Sequence, residues 1–123
     1  MTRLILSICA IGALTTACVD QGRPAACGEP SVTIQLQLTG DALTPSDPAA
    51  CRGQDVTLVV ASKLDGIIHI HGYDATVPAT EVSAGEELRL TFEAERSGQF
   101  PIELHPAGDP QGVGVGVFTV HEP

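Results

Sequence analysis

Residues 32–38 read Val-Thr-Ile-Gln-Leu-Gln-Leu, apolar and polar in strict alternation. A strand turns successive side chains to opposite faces, so this run makes a ribbon with one buried and one wet face. A helix, whose apolar positions recur every three or four residues, does not fit it. Residues 55–62 read as a second strand, and the alternation returns at 88–94. At 98–104 it puts Phe100, Ile102 and Leu104 on one face, and the β-rich run 113–121 closes the chain. Residues 67–71 make a shorter strand. The intervening stretches hold Gly, Pro, Ser and Asp, notably 39–54, read as a loop, and the turn at Gly85-Glu86. No segment carries helical periodicity beyond two turns, and no internal repeat is present. Six or so short strands separated by turn residues predict an all-β sandwich or small barrel. With 123 residues there is room for one such domain, which excludes a large enzyme fold.

The first residues read as an address. Arg3 precedes an apolar run of 11 residues at 4–14, too short to span a bilayer, and Thr15-Thr16-Ala17-Cys18 follows. The expectation is a signal peptide at 1–17. The segment Leu14-Thr15-Thr16-Ala17-Cys18 also resembles a bacterial lipobox, although Leu14 stands four residues before the cysteine where three is usual. That resemblance implies a lipid on Cys18 and a protein held in the periplasm or cell envelope; the competing reading is ordinary cleavage after Ala17 with a free thiol. Cys9 leaves with the signal, so Cys18, Cys27 and Cys51 remain. If Cys18 carries lipid, Cys27 and Cys51 are left to pair, which an exported compartment permits. A metal role for those two is the rival, without any Cys-x-x-Cys spacing to support it. Residues 18–31, small and polar with Pro24, Gly28 and Pro30, read as a tether.

Charge narrows the partners. The chain has 15 acidic and 6 basic side chains, net -9. Nucleic acid is therefore not a partner, and anionic lipid would repel the domain, leaving the lipid anchor as its only hold on a membrane.

Chemistry concentrates in the histidines. His69 and His71, two apart on a strand, project to one face and leave Ile68 and Ile70 for the other. Two imidazoles so placed can share a divalent ion. Glu103 and His105 likewise share a face, and Asp74 and Tyr73 offer oxygen nearby. His121, two residues from the C-terminus, is expected to be exposed. The candidate metal ligands are His69, His71 and His105; whether His105 lies on the side of the other two depends on the fold. There is no Gly-x-Ser-x-Gly, phosphate loop or cysteine poised beside a histidine, so no catalysis is expected.

The order of Gly53-Gln54-Asp55-Val56-Thr57-Leu58-Val59-Val60, Asp65 with His69, Ala84-Gly85-Glu86, Phe92, Ser97-Gly98-Gln99-Phe100 and the closing Gly116-Val117-Phe118-Thr119-Val120 resembles a cupredoxin over about residues 32–121. The resemblance implies a cupredoxin-like Greek-key β-sandwich at 32–123, behind the signal peptide and tether. In blue-copper members one His follows the third strand and a Cys-His-Met loop joins the last two strands. His69 matches the first; the loop departs. One alignment puts Leu104 at the cysteine position. The other, anchored on His105-Pro106, puts Ile102 there and Gly108 at the methionine. Blue-copper electron transfer needs the thiolate, so that activity is not expected. The expected function is an exported, lipid-anchored protein binding copper(II) or zinc(II) through imidazole. The alternative is a metal-free envelope lipoprotein acting as a protein-interaction module. The sequence names no protein partner.

Overall fold

A computed structural model describes residues 26–123. The signal peptide expected at 1–17 and the acylation site at Cys18 lie outside the described residues. Nine strands follow in order: β1 (Ser31–Thr39), β2 (Ala42–Thr44), β3 (Ala49–Cys51), β4 (Asp55–Ser62), β5 (Gly66–Ile70), β6 (Thr80–Val82), β7 (Glu87–Glu93), β8 (Gly98–Pro106) and β9 (Val113–His121). They form a four-stranded sheet, β2-β1-β4-β7, and a five-stranded sheet, β3-β9-β8-β5-β6. β1 runs parallel to β4 and β3 parallel to β9; the other neighbours are antiparallel. The chain passes repeatedly between the sheets, as a Greek-key sandwich requires.

The alternation seen in the sequence sorts residues between faces. Leu36, Leu38, Val56, Leu58, Val60 and Phe92 point inward from one sheet; Ile68, Ile70, Ile102, Leu104, Val115, Phe118 and Val120 point inward from the other. Each such side chain contributes about 1.5–3 kcal/mol relative to an exposed position. The chain's four aromatics meet in one cluster. Tyr73 lies 4.7 Å from Phe100, 5.4 Å from Phe92 and 5.9 Å from Phe118, mostly edge to face. The Tyr73 hydroxyl donates to the Arg96 carbonyl (3.0 Å) and accepts from the Arg96 N–H (3.2 Å), so a buried polar tip is satisfied.

Three strands lie where the sequence reading has none. β2 and β3 fall inside the expected loop 39–54, and β6 pairs with the start of β5. Each has three residues. Leu43 and Val82 are the one buried side chain of β2 and β6, and β3 buries Ala50 and Cys51, so no period can be seen. The strand expected at 67–71 ends at Ile70: Gly72 adopts φ +89°, turning the chain, and a Cβ there would stand 2.9 Å from the Phe100 ring.

The expected tether enters the described residues at Ala26, and from there it is tied to the sandwich. Cys27 and Cys51 form the disulfide expected from the cysteine arithmetic. Buried Gln54 fastens the same region: its Nε2 donates to the carbonyls of Ala26 (2.9 Å) and Glu29 (2.8 Å), and its Oε1 accepts from the Cys51 N–H (2.8 Å). Ser31 then opens β1. In the chain-entropy view a loop of this length, 24 residues apart in sequence, gains on the order of 3 kcal/mol from closure. The double variant Cys27→Ala/Cys51→Ala is expected to lose about that much in urea unfolding while its far-ultraviolet spectrum stays that of a β-protein.

Candidate metal centre

Strand parity places the chemistry on the outer face of the five-stranded sheet. Ile68 and Ile70 of β5 and Ile102 and Leu104 of β8 face the core, so the residues between them face out. The β5–β8 register sets His69 opposite Glu103 and Ile67 opposite His105. His105 is therefore on the His69 side, which settles the question the sequence leaves open. His71, just past the end of β5, is held by its N–H to the Pro101 carbonyl (2.9 Å). The His69 and His71 rings lie 4.5 Å apart by centroid and those of His69 and His105 5.4 Å. The three rings are neighbours, but the residues whose ligand atoms all lie within 4.8 Å of one another are His69, Glu103 and His105, without His71.

Glu103 stands in their middle. His71 Nε2 is 2.6 Å from Glu103 Oε2, and His105 Nε2 is 2.9 Å from Oε1. A carboxylate only accepts, so each imidazole presents an N–H to it. The hydrogen bond from His71, helped by the charges of the surrounding histidines, holds the Glu103 carboxyl below the usual carboxylate range. A bulge between Ile102 and Glu103 marks this point of the β8–β9 ladder: Ile102 faces Gly116 and Glu103 faces Gly114. Gly112 completes the wall, because a Cβ there would collide with the Glu103 carboxylate and stand 2.8 Å from His105 Cε1.

His69 is different. Its Nδ1 lies 3.2 Å from Asp74 Oδ1, while Asp74 Oδ2 accepts the Gly72 N–H (3.1 Å). The contact with His69 chiefly, then the one with Gly72, lowers the Asp74 pKa. In a neutral ring the Asp74 carboxylate accepts a hydrogen bond from the Nδ1–H, which leaves the lone pair on Nε2. That Nε2 is buried and has no hydrogen-bond partner, the nearest carboxylate oxygen, Glu103 Oε1, being 4.0 Å away. A buried acceptor without a donor is costly unless something else fills the position. Side-chain exposure rises from 15% at His69 through 27% at Glu103 and 35% at His105 to 46% at His71, so the group has a closed floor and an open mouth. Ligand atoms of His69, Glu103 and His105 lie within 4.8 Å of one another. An orphaned imidazole nitrogen beside two further imidazoles and a carboxylate fits a divalent ion that favours nitrogen and oxygen.

Other sequence candidates fall elsewhere. Tyr73 supplies no oxygen here, because it is buried among the aromatics with its hydroxyl engaged by Arg96. Asp74 reaches His69 from the outside. His121, expected to be exposed, is half-buried in β9 opposite Cys51. Ile102 and Leu104, the two residues that align with a cysteine ligand, are core side chains. The sequence reading weighs Glu103 as a neighbour of the site without naming it a ligand; its signal is the Glu-x-His spacing on one strand.

No family model matches the chain, and no curated protein matches it in sequence. Solved structures do. Auracyanin A, a "blue" copper protein from Chloroflexus aurantiacus, is 15% identical with TM-score 0.55, over 74% of this chain and 99% of that one. A copper binding protein solved in the apo form is 18% identical with TM-score 0.55, over 75% and 89%. A multicopper oxidase from Pseudomonas thermotolerans is 20% identical with TM-score 0.55, over 75% of this chain; the chain spans 30% of the oxidase's length. At these identities the likeness is one of architecture, and the described residues have the cupredoxin-like β-sandwich fold.

Proposed function

We propose that this chain is an exported, lipid-anchored protein that binds a divalent metal ion, copper(II) foremost, through His69, His71, His105 and Glu103, and that it does not carry electrons as a blue-copper protein. The orphaned Nε2 of His69 carries this reading: it is buried without a hydrogen-bond partner, 4.0 Å from Glu103 Oε1, and its other nitrogen meets a carboxylate, as a metal-bound imidazole's commonly does. An ion there takes the place of the protons that now join His71 and His105 to Glu103. Imidazole with carboxylate suits copper(II) and equally zinc(II); copper proteins among the structural neighbours favour copper. Copper(I) prefers sulfur, and beyond Met1 the sequence has no methionine, while Cys27 and Cys51 are paired. Positions 102 and 104 hold Ile and Leu, so no thiolate supports an intense blue centre. With those two cysteines joined, Cys18 is the one left to carry lipid, and acylation of lipobox type supplies the doubled chains that stable anchoring needs.

The alternative, a metal-free interaction module, has one observation in its favour: Glu103 already has His71 and His105 as hydrogen-bonding partners. It leaves His69 Nε2 unexplained.

Calorimetric titration of the mature domain decides between them. Copper(II) is expected to bind with micromolar or tighter affinity and a pale spectrum, and His69→Ala/His71→Ala to abolish binding. Asp74→Ala, touching no ion itself, is expected to weaken binding roughly 10–100-fold. Affinity indifferent to the double variant, or an intense blue colour, would sink the proposed site. A pH dependence follows for the metal-free protein. Glu103 and Asp74 have pKa values below the ordinary range, so their contribution to stability is present above that range and is lost as pH falls through the lowered values. Between pH 6 and 3 (about two units above and one below an ordinary carboxyl) the urea midpoint of the native chain is expected to fall more than that of Glu103→Gln.

A further inference from the structure

Beside the histidines runs a groove of ≈ 690 Å³ on the same outer face, lined by residues of β5, β6 and the β8–β9 turn, with His105 in its wall. Ile67 forms its floor. At 42% exposure it is one of two exposed large apolar residues among the described residues, the other being Val117. The register sets Ile67 between Glu81 of β6 and His105 of β8, and Asp65, just before β5, also lines the groove. Asp109 contributes from the turn, and none of the described lining residues is Lys or Arg. An apolar side chain is thus ringed by three carboxylates.

The groove is built. The Asp65 carbonyl accepts the Ala107 N–H (3.0 Å) from one wall, and its Oδ1 accepts the Ala84 N–H (2.8 Å) beside the other. The turn forming the far wall is closed on itself by Asp109 N–H to the Pro106 carbonyl (3.0 Å) and Gln111 N–H to Asp109 Oδ1 (2.8 Å). Both walls are therefore hydrogen-bonded in place before anything binds, which lowers the ordering cost of association.

We infer that this groove docks a basic segment of another protein, seating one apolar side chain on Ile67 between cations that meet Glu81, Asp65 and Asp109. Charge selects that occupant. A second copy of a chain with net charge -9 is repelled, and so is an anionic lipid surface. A wholly apolar segment leaves the charges of Glu81, Asp65 and Asp109 without a counter-charge. The segment lies against His105, so it stands at the mouth of the metal centre. That neighbourhood, unlike the groove, rests on the functional reading given above.

The test uses the metal-free mature protein and a short blocked peptide with a central Leu flanked by Lys, free of His, Cys and Met. In a nuclear magnetic resonance titration the amide signals of Ile67, Glu81, Val82 and Asp109 are expected to move together and saturably, and added salt to weaken the effect. The exposed double variant Ile67→Ser/Glu81→Lys is expected to bind roughly tenfold more weakly, having lost its apolar anchor and reversed a rim charge. Its copper(II) titration should match the native one, which separates the two proposals: peptide binding without copper binding leaves the groove standing, and the reverse leaves only the metal centre. Shifts spread over the whole acidic surface, equal binding by the double variant, or equal binding of a peptide with Glu in place of Lys would each overturn the inference. So would self-association of the chain that covers Ile67.

Discussion

The pairing of β5 with β8 is the contact on which the candidate site depends. Its register sets His69 against Glu103 and Ile67 against His105, while Ile68, Ile70, Ile102 and Leu104 go to the core. A slip by one residue would send the imidazoles inward and the aliphatic side chains into water, an exchange the buried face forbids. The hydrophobic core thus does more than hold the sheets together. By claiming alternate residues of both strands it forces the remaining ones, His69, Glu103 and His105 among them, onto the outer face.

Within that patch the carboxylates divide the work. Glu103 lies inside the ring of imidazoles and is backed by Gly112, where no side chain fits. Asp74 lies outside and orients His69 through Nδ1. The result is a floor nitrogen with an unshared lone pair and a mouth of partly exposed imidazoles. The donors gathered here are nitrogen and oxygen, because Ile and Leu stand where a sulfur ligand would come from the strand. The same open face continues into the groove over Ile67, so the proposed metal centre and the proposed docking groove are contiguous.

Stability is arranged away from this face. The aromatic cluster around Tyr73, the disulfide and the Gln54 hydrogen bonds lie in the core or at the far end of β3 and β4. Gly72 joins the two regions: it ends β5, lets Phe100 approach, and gives its N–H to Asp74. Changes in the histidines should therefore cost binding before they cost folding.

Alternation in β1, β7 and β8, with β-rich runs at β4 and β9, made the sandwich legible from residues alone, because a two-residue period in long strands has no other physical meaning in a domain with a core. The same parity showed that His69 and His71 share a face and that Glu103 and His105 share one, while cysteine counting left Cys27 and Cys51 to join. The short strands β2, β3 and β6 stayed hidden, since three residues with one or two inward side chains carry no period. Side-chain identity could not tell that Tyr73 turns inward, or that Glu103 sits at the centre and Asp74 outside. Those depend on which strands become neighbours, and that choice is made by burial across the whole sandwich; only the folded chain brings β5 beside β8 and so converts two separate spacings into one site.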